Sequence, residues 1–339
     1  VTARKISLTG VKPSGTPHIG NYLGAIKPAI DLSRDFDAYY FLADYHALNT
    51  MRDPKEFRHS VYDLAATWLA CGLDPAKVVF YRQSDIPEIF ELTWIISTVT
   101  PKGLLNRAHA YKASVDTNEA AGNLPDDGVT MGLYNYPVLM AADILIADAN
   151  YVPVGQDQRQ HIEITRDIAT SFNAIFGDVL VPPEGLIRDE VALITGLDGR
   201  KMSKSYGNVL PLMADPKELR KAVMKIVTDS RQPEEPKDPD ADNIYSIFKH
   251  FGTPERLAEV RGLYLNGGLA YGRMKQELFE TLDVSFKDAR ERYNDLMADP
   301  QKIDGILATG AEQMHATAQR VLGKVRAAIG KTTFAVKAR

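Results

Sequence analysis

Ile6-Ser7-Leu8-Thr9-Gly10-Val11-Lys12-Pro13-Ser14-Gly15-Thr16-Pro17-His18-Ile19-Gly20-Asn21 passes from a short apolar run, through a Pro/Ser/Gly loop, into a helix that continues through Leu23, Ile26 and Ile30. The run predicts a buried strand, and the apolar spacing after Asn21 predicts an amphipathic helix. The unit then repeats. Residues 38–43 form a second strand pattern ending at Asp44-Tyr45-His46, and residues 53–71 a helix with Asp53 as N-cap, Pro54 in the first turn and Gly72 as the stop. A third strand at 78–81 and a third helix at 87–99 follow. Strands alternating with helices at this spacing predict an α/β fold with a parallel, doubly wound sheet, whose ligands lie beyond the carboxyl ends of the strands.

Further along, 114–130 is polar, has no apolar period and reads as a mobile surface loop. Helical patterns resume at 133–147 and 157–176, separated by 151–155. After Asn208 the chain reads as all helix, in segments at 216–228, 242–251, 254–263, 271–298 and 301–329. The expected organisation is therefore a nucleotide-binding part at 1–206 and a helical part at 207–339, with the last helix packing back on the first part.

Composition narrows the function classes. With 339 residues, 45% hydrophobic and 25% charged, the chain has the make-up of a globular protein of about two domains. No apolar run approaches the roughly 20 residues of a membrane span, and the start of the chain leads into a strand rather than a signal-peptide core, so a cytoplasmic protein is expected. Cys71 is the single cysteine, which excludes an internal disulfide and a sulfur-rich zinc site; at the end of an apolar helix it reads as a packed small residue. A net charge of −4 means that any nucleic-acid surface must be a local basic patch.

Two segments carry phosphate chemistry. A helix opening at Gly20 beyond a strand places unpaired backbone N–H groups at one point, with Ser14 and Gly15 allowing close approach and His18 and Asn21 offering side chains. On residues alone, this is equally a plain corner with an exposed histidine. Leu197-Asp198-Gly199-Arg200-Lys201-Met202-Ser203-Lys204-Ser205 sets two lysines and two serines on a glycine-bearing turn, which suits a leaving pyrophosphate and equally suits a solvated turn. Together, and in this order, they resemble the HIGH and KMSKS motifs of class I aminoacyl-tRNA synthetases, with Asn21 in place of the last histidine of the first. The resemblance implies ATP as substrate, Mg²⁺ held mainly by its phosphates, and catalytic roles for His18, Asn21, Lys201 and Lys204. It also places Lys12, Pro13, Ser14, Gly20, Met202, Ser203 and Ser205 against ATP.

A third segment concerns the other substrate. Asp143 is the only charge in residues 137–147 of a helix apolar almost all round, and Tyr136, Met140, Asp143 and Ala147 share one face. A buried carboxylate is costly unless hydrogen-bonded, so Asp143 is either a satisfied structural group or the acceptor for one polar hydrogen of an apolar ligand. The segment is similar to that of the tryptophan branch of the family, in which the aspartate accepts the indole N–H and the methionine flanks the ring. By the same likeness Val152 and Val154 line the indole slot, Gly155, Gln156 and Asp157 meet the ribose and base of ATP, and Tyr136, His46, Leu8 and Gln158 complete the tryptophan site. Asp44 and His46 end the second strand where the amino acid's ammonium and carboxylate would sit. The resemblance implies a ligase that activates L-tryptophan and transfers it to tRNA, acting as a homodimer through the region 89–105. A tyrosine-specific enzyme is the close alternative; a small nucleotidyltransferase and a catalytically dead binding protein are the more distant ones.

Overall fold

The runs that alternate apolar residues with Tyr and Thr do form strands, because both faces of the sheet they build are covered. The computed structural model describes residues 4–155, 158–187 and 194–331. Its strands are β1 (Ile6–Val11), β2 (Asp37–Leu42), β3 (Val79–Arg82), β4 (Tyr151–Val154) and β5 (Glu184–Ile187), all parallel, in the order β3-β2-β1-β4-β5. β1 runs beside β2 in the register Ile6 to Asp37 through Val11 to Leu42. The strand order reverses between β1 and β4, and this opens a crevice at their carboxyl ends.

The helices follow the sequence in kind. Residues 19–32 make α1, α-helical at Ile19–Asn21 and Lys27–Leu32 with a π turn at Tyr22–Ile26 between them. Next come α2 (Asp44–Ala47), α3 (Pro54–Ala70), α4 (Glu88–Ser97), α5 (Lys102–Leu105), α6 (His109–Ala120), α7 (Met131–Ile146) and α8 (Arg159–Phe176). The expected caps of α3 are present: Asp53 accepts from the N–H groups of Lys55 and Glu56 at 2.8 Å, and Gly72 takes a φ of +105° past the end.

Beyond the lysine segment lie α9 (Pro216–Met224), α10 (Asn243–Phe248), α11 (Pro254–Asn266), α12 (Tyr271–Ala298) and α13 (Pro300–Ala328). Alternate residues of one strand feed different cores, as the pleat requires. Tyr40, Leu42 and Phe80 join α3 and α9 to α12 on one face, while Leu8, Phe41 and Tyr81 join α4, α7 and α8 on the other. α13 belongs to both. Its Ile303 and Leu307 enter the first core, its Met314, Ala318 and Val321 the second, and Gly310 sits at the crossing against the backbone of β3. A Cβ at Gly310 would lie 1.8 Å from the carbonyl oxygen of Phe80.

The structure corrects the reading of one segment as a loop. Residues 114–120, read as part of a loop, are the second half of α6. α6 buries none of its residues, so no apolar stripe marks it in the sequence; alanine content and local bonds hold it instead. The turn that follows is tied down where the Asn118 amide donates to the carbonyls of Pro125 and Asp127 and the Tyr111 hydroxyl donates to Asp126. Among the described residues, no helix is long and apolar enough to cross a membrane.

Candidate active site

The crevice between β1 and β4 holds a cavity of about 620 Å³, within the usual size range of small-ligand sites. One wall is the end of β1 and the loop after it, from Leu8 to Lys12; the opposite wall is Val152 to Val154 of β4 with Gly155 just after it. α7 supplies Tyr136, Met140, Asp143 and Ile144, and α2 supplies His46. Ten residues picked from the sequence therefore meet in one space: Leu8, Lys12, His46, Tyr136, Met140, Asp143, Val152, Val154, Gly155 and Gln158. Gly10 is needed where β1 passes β2, since a Cβ there would lie 2.3 Å from the ring of Phe41. Gln156 and Asp157 lie outside the described residues.

Asp143 is fully buried and its carboxylate is the acceptor centre of a network. Gln83 Nε2 donates to both oxygens at 2.8 and 3.0 Å, and His46 Nε2 lies 2.9 Å from Oδ2. An ionised carboxylate can only accept, so His46 carries its proton on Nε2. The Gln83 amide cannot be reversed, because its Oε1 accepts the backbone N–H of Tyr45 at 3.1 Å. Burial raises the Asp143 carboxyl above the usual carboxylate range, and the hydrogen bonds from His46 and Gln83 pull it back. Two oxygens offer about four lone pairs, and the three contacts leave acceptor capacity for one ligand hydrogen. On the same wall the Tyr136 hydroxyl lies 3.1 Å from His161 Nε2.

Gln83 is the residue the motifs did not reveal. It follows β3 directly, at the carboxyl end of a strand, and that position is the signal that points to it. Asp44, by contrast, does not line the cavity: it is buried and accepts from the N–H groups of Tyr45 and Ser84, both at 3.0 Å, and from the Ser84 hydroxyl. It joins α2 to the turn after β3, which corrects the expectation that it receives the amino acid's ammonium.

The phosphate corner is a second constellation. His18 is buried rather than exposed, and it caps α1 reciprocally with Asn21: His18 Nδ1 accepts from the Asn21 N–H at 3.3 Å and Asn21 Oδ1 accepts from the His18 N–H at 3.0 Å. The accepting Nδ1 leaves the ring proton on Nε2. Burial, then the charge of Lys204, pushes His18 down to about 4, so it is a neutral donor at physiological pH. The lysine segment lies directly over this corner. Ile19 N–H donates to the Leu210 carbonyl at 2.9 Å and Leu212 N–H to the Pro17 carbonyl at 3.2 Å. Met202 is buried, with Sδ 3.3 Å from the Gly20 N–H.

Within the segment, Lys204 Nζ donates to the carbonyls of Ser14 and Gly15 at 2.6 and 2.7 Å, and Gly15 has a φ of +77°. Ser203 and Ser205 meet through their hydroxyls at 3.0 Å, and Asn208 braces the turn by accepting from the Ser203 N–H and donating to Asp198 and to the Lys201 carbonyl. Lys201 is exposed, and Pro13 is buried. The arrangement can hold a polyphosphate between a helix start and the Lys204 ammonium, next to a largely apolar cavity with one carboxylate acceptor.

Comparison with known proteins agrees with this geometry. Residues 2–287 match the family model of class I tRNA synthetases (W and Y). The chain is 54% identical over 328 residues to the tryptophan–tRNA ligase of Pseudomonas aeruginosa, covering 95% of this chain and 73% of that protein. It is 50% identical to that of Neisseria meningitidis, covering 97% and 98%. A crystal structure of tryptophanyl-tRNA synthetase from Campylobacter jejuni, complexed with ADP and tryptophan, superimposes with a TM-score of 0.89 at 43% identity, covering 96% of this chain and 99% of that one.

Proposed function

The chain belongs to the class I tRNA synthetases of the tryptophan and tyrosine group, and from that premise we propose how its residues ligate L-tryptophan to tRNA. The observation that carries the reading is Asp143: a fully buried acceptor of fixed polarity on the wall of a mostly apolar cavity suits one N–H on a large flat ring. The indole N–H bonds to Asp143, Met140, Val152 and Val154 pack on the ring, and Tyr136, His46, Leu8 and Gln158 close the site. The tryptophan carboxylate attacks the α-phosphorus of ATP, the bond to the β-phosphate breaks, and pyrophosphate leaves. The terminal ribose hydroxyl of tRNA then attacks the acyl carbon of the adenylate and AMP departs.

No side-chain nucleophile is required, so catalysis rests on alignment and charge. His18 donates from Nε2 to the α-phosphate region, with Asn21 beside it. Lys12, Pro13, Ser14 and Gly20 form the floor under the triphosphate, and Gly155, with Gln156 and Asp157, the ribose and base side. Lys201 and Lys204, with Met202, Ser203 and Ser205, close on the pyrophosphate as its charge grows. Mg²⁺ would be held mainly by the phosphates of ATP, where it would offset their negative charge, and no side chain of this chain is assigned to it.

We place the boundary of the catalytic part near 206 and assign tRNA contacts to the helical part, on the exposed side chains of Lys217, Arg220, Lys221, Lys225 and Arg231. We also propose a cytoplasmic homodimer through the region 89–105, in which Trp94 of α4 is 75% exposed; sedimentation at micromolar concentration checks it, and a monomer would overturn it. The test of the function is amino-acid-dependent pyrophosphate exchange into ATP. Exchange with tryptophan and little with tyrosine is expected; tyrosine-driven exchange, or none, would overturn the reading.

A further inference from the structure

The two donors that face Asp143 come from two separate short elements. β2 and β3 pair as far as Leu42 and Arg82, and beyond that level both chains leave the sheet. One continues into α2, a helix of four residues that carries His46; the other into the 3-10 turn Gln83–Asp85, which begins with Gln83. Segments this short do not hold their shape by their own hydrogen bonds. A bond across them does. Asp44, buried at the start of α2, accepts from the Ser84 N–H through Oδ1 at 3.0 Å and from the Ser84 hydroxyl through Oδ2. The same Oδ1 accepts the Tyr45 N–H at 3.0 Å, and that N–H is shared with Gln83 Oε1 at 3.1 Å. One carboxylate therefore grips the residue after Gln83 and the residue before His46.

We propose that Asp44 is a positioning residue for amino-acid selection: it locks the two turns in one register, so that His46 and Gln83 converge on Asp143 and leave its remaining lone pair aimed at the indole N–H. The inference rests on the reading of Asp143 as the acceptor for that N–H. The contacts being aligned are 2.8, 2.9 and 3.0 Å long. A slip of about 0.6 Å between the turns carries the longest of them out of hydrogen-bond range and frees the carboxylate to rotate. Met140, Val152 and Val154, which pack on the ring, belong to other elements. Loss of the lock should thus impair recognition of the N–H and spare the packing.

The test is pyrophosphate exchange with tryptophan beside β-(3-benzothienyl)alanine, which has the same ring shape with sulfur in place of the N–H. Wild type should prefer tryptophan in kcat/KM. Asp44→Ala should narrow that preference by about 3- to 5-fold, the scale on which one bond to a charged group becomes an ordinary one, while the analogue changes little. A role in folding alone lowers the active fraction for both substrates and leaves their ratio untouched. Asp44→Asn keeps Oδ1 for the two N–H groups and lets its NH₂ donate to the Ser84 hydroxyl, so it should restore the preference. In an Asp143→Ala background, with no acceptor to aim, Asp44→Ala should leave the ratio unchanged.

Should Asp44→Ala fail to fold, Ser84→Ala decides, since it removes the bond to Oδ2 and keeps the backbone bond; the preference should then narrow about 2-fold. A wild-type ratio in folded Asp44→Ala, or in Ser84→Ala where the former does not fold, would overturn the lock. So would an Asp44→Asn enzyme no more selective than Asp44→Ala, or a narrowing that persists without Asp143. A failed reading of Asp143 would show separately, as a wild type that does not prefer tryptophan over the analogue, and would overturn the proposal with it.

Discussion

Asp143→Asn replaces one oxygen by an NH₂ group at constant shape, so it tests the charge and acceptor role of this side chain. The network that receives it is polarised from the backbone: Tyr45 N–H donates to Gln83, and Gln83 and His46 donate to Asp143. An asparagine NH₂ on the Oδ1 side would meet the Gln83 amide at a donor-to-donor distance of 2.8 Å. On the Oδ2 side it still lies 3.0 Å from the same amide, a longer donor-to-donor contact, and it bonds to His46 if that ring moves its proton from Nε2 to Nδ1. That second arrangement preserves Oδ1 as an acceptor for Gln83 and for the ligand but makes both bonds neutral. Bonds to a charged group contribute about 1 kcal/mol more than neutral ones; the Gln83 bond is already present in the free enzyme, so only the bond to the ligand enters, a fall of about 5-fold in kcat/KM for tryptophan. Phenylalanine, with no N–H to place, should lose far less, and discrimination against it should weaken. Pyrophosphate exchange with each amino acid measures both. Gln83→Met should also lower tryptophan activation, and the double variant should fall short of the sum of the two effects, because both act on one carboxylate. An Asp143→Asn enzyme within about threefold of wild type, with unchanged rejection of phenylalanine, would refute the reasoning.

Alanine at Lys201 or Lys204 should slow adenylate formation at saturation by about 100-fold or more while ATP and tryptophan dissociation constants change less; a defect confined to binding would mark the segment as a charged surface turn. Reversing the charges of Lys217, Arg220, Lys221, Lys225 and Arg231 together should weaken aminoacylation and spare adenylate formation, and equal loss in both assays would place the RNA elsewhere. Gly310→Ala should cost about 3 kcal/mol or more, since the new Cβ meets backbone at 1.8 Å, whereas Gly305→Ala on the same helix has nothing within 4 Å and should stabilise by up to about 1 kcal/mol; similar melting temperatures for the two would contradict the packing. His18 has a folded value near 4 against an ordinary 6.5, so the unfolded chain binds the extra proton and stability should fall as pH drops through that window. Denaturation curves of wild type and His18→Asn should diverge between those pH values, and parallel curves would contradict the buried neutral ring.

The parts of the fold legible in the sequence were those where one signal dominated. β1 to β3 are apolar runs with clear breakers, and α3 carries both its caps in its residue types. β4 was hidden by Pro153, which lacks the donor a strand normally supplies, and β5 by its length of four residues and a glycine. The site divides in the same way. Asp143 stood out as a lone charge in an apolar helix, and the glycines and lysines of the phosphate corner as unusual local chemistry. Gln83 did not, because a neutral amide after a strand acquires meaning only from a partner 60 residues away.

The placement of α13 has a consequence in time. β3 is a terminal strand of the sheet, and the helix that crosses it is the last in the described chain. While the ribosome adds the intervening residues, the outer flank of β3 stays open, with apolar residues of both cores uncovered beside it. An open flank of that kind invites pairing with another chain. Nascent chains halted before residue 300 should thus engage holdase chaperones and be cut by protease near β3, and both susceptibilities should end together once the segment carrying Gly310 has cleared the exit tunnel.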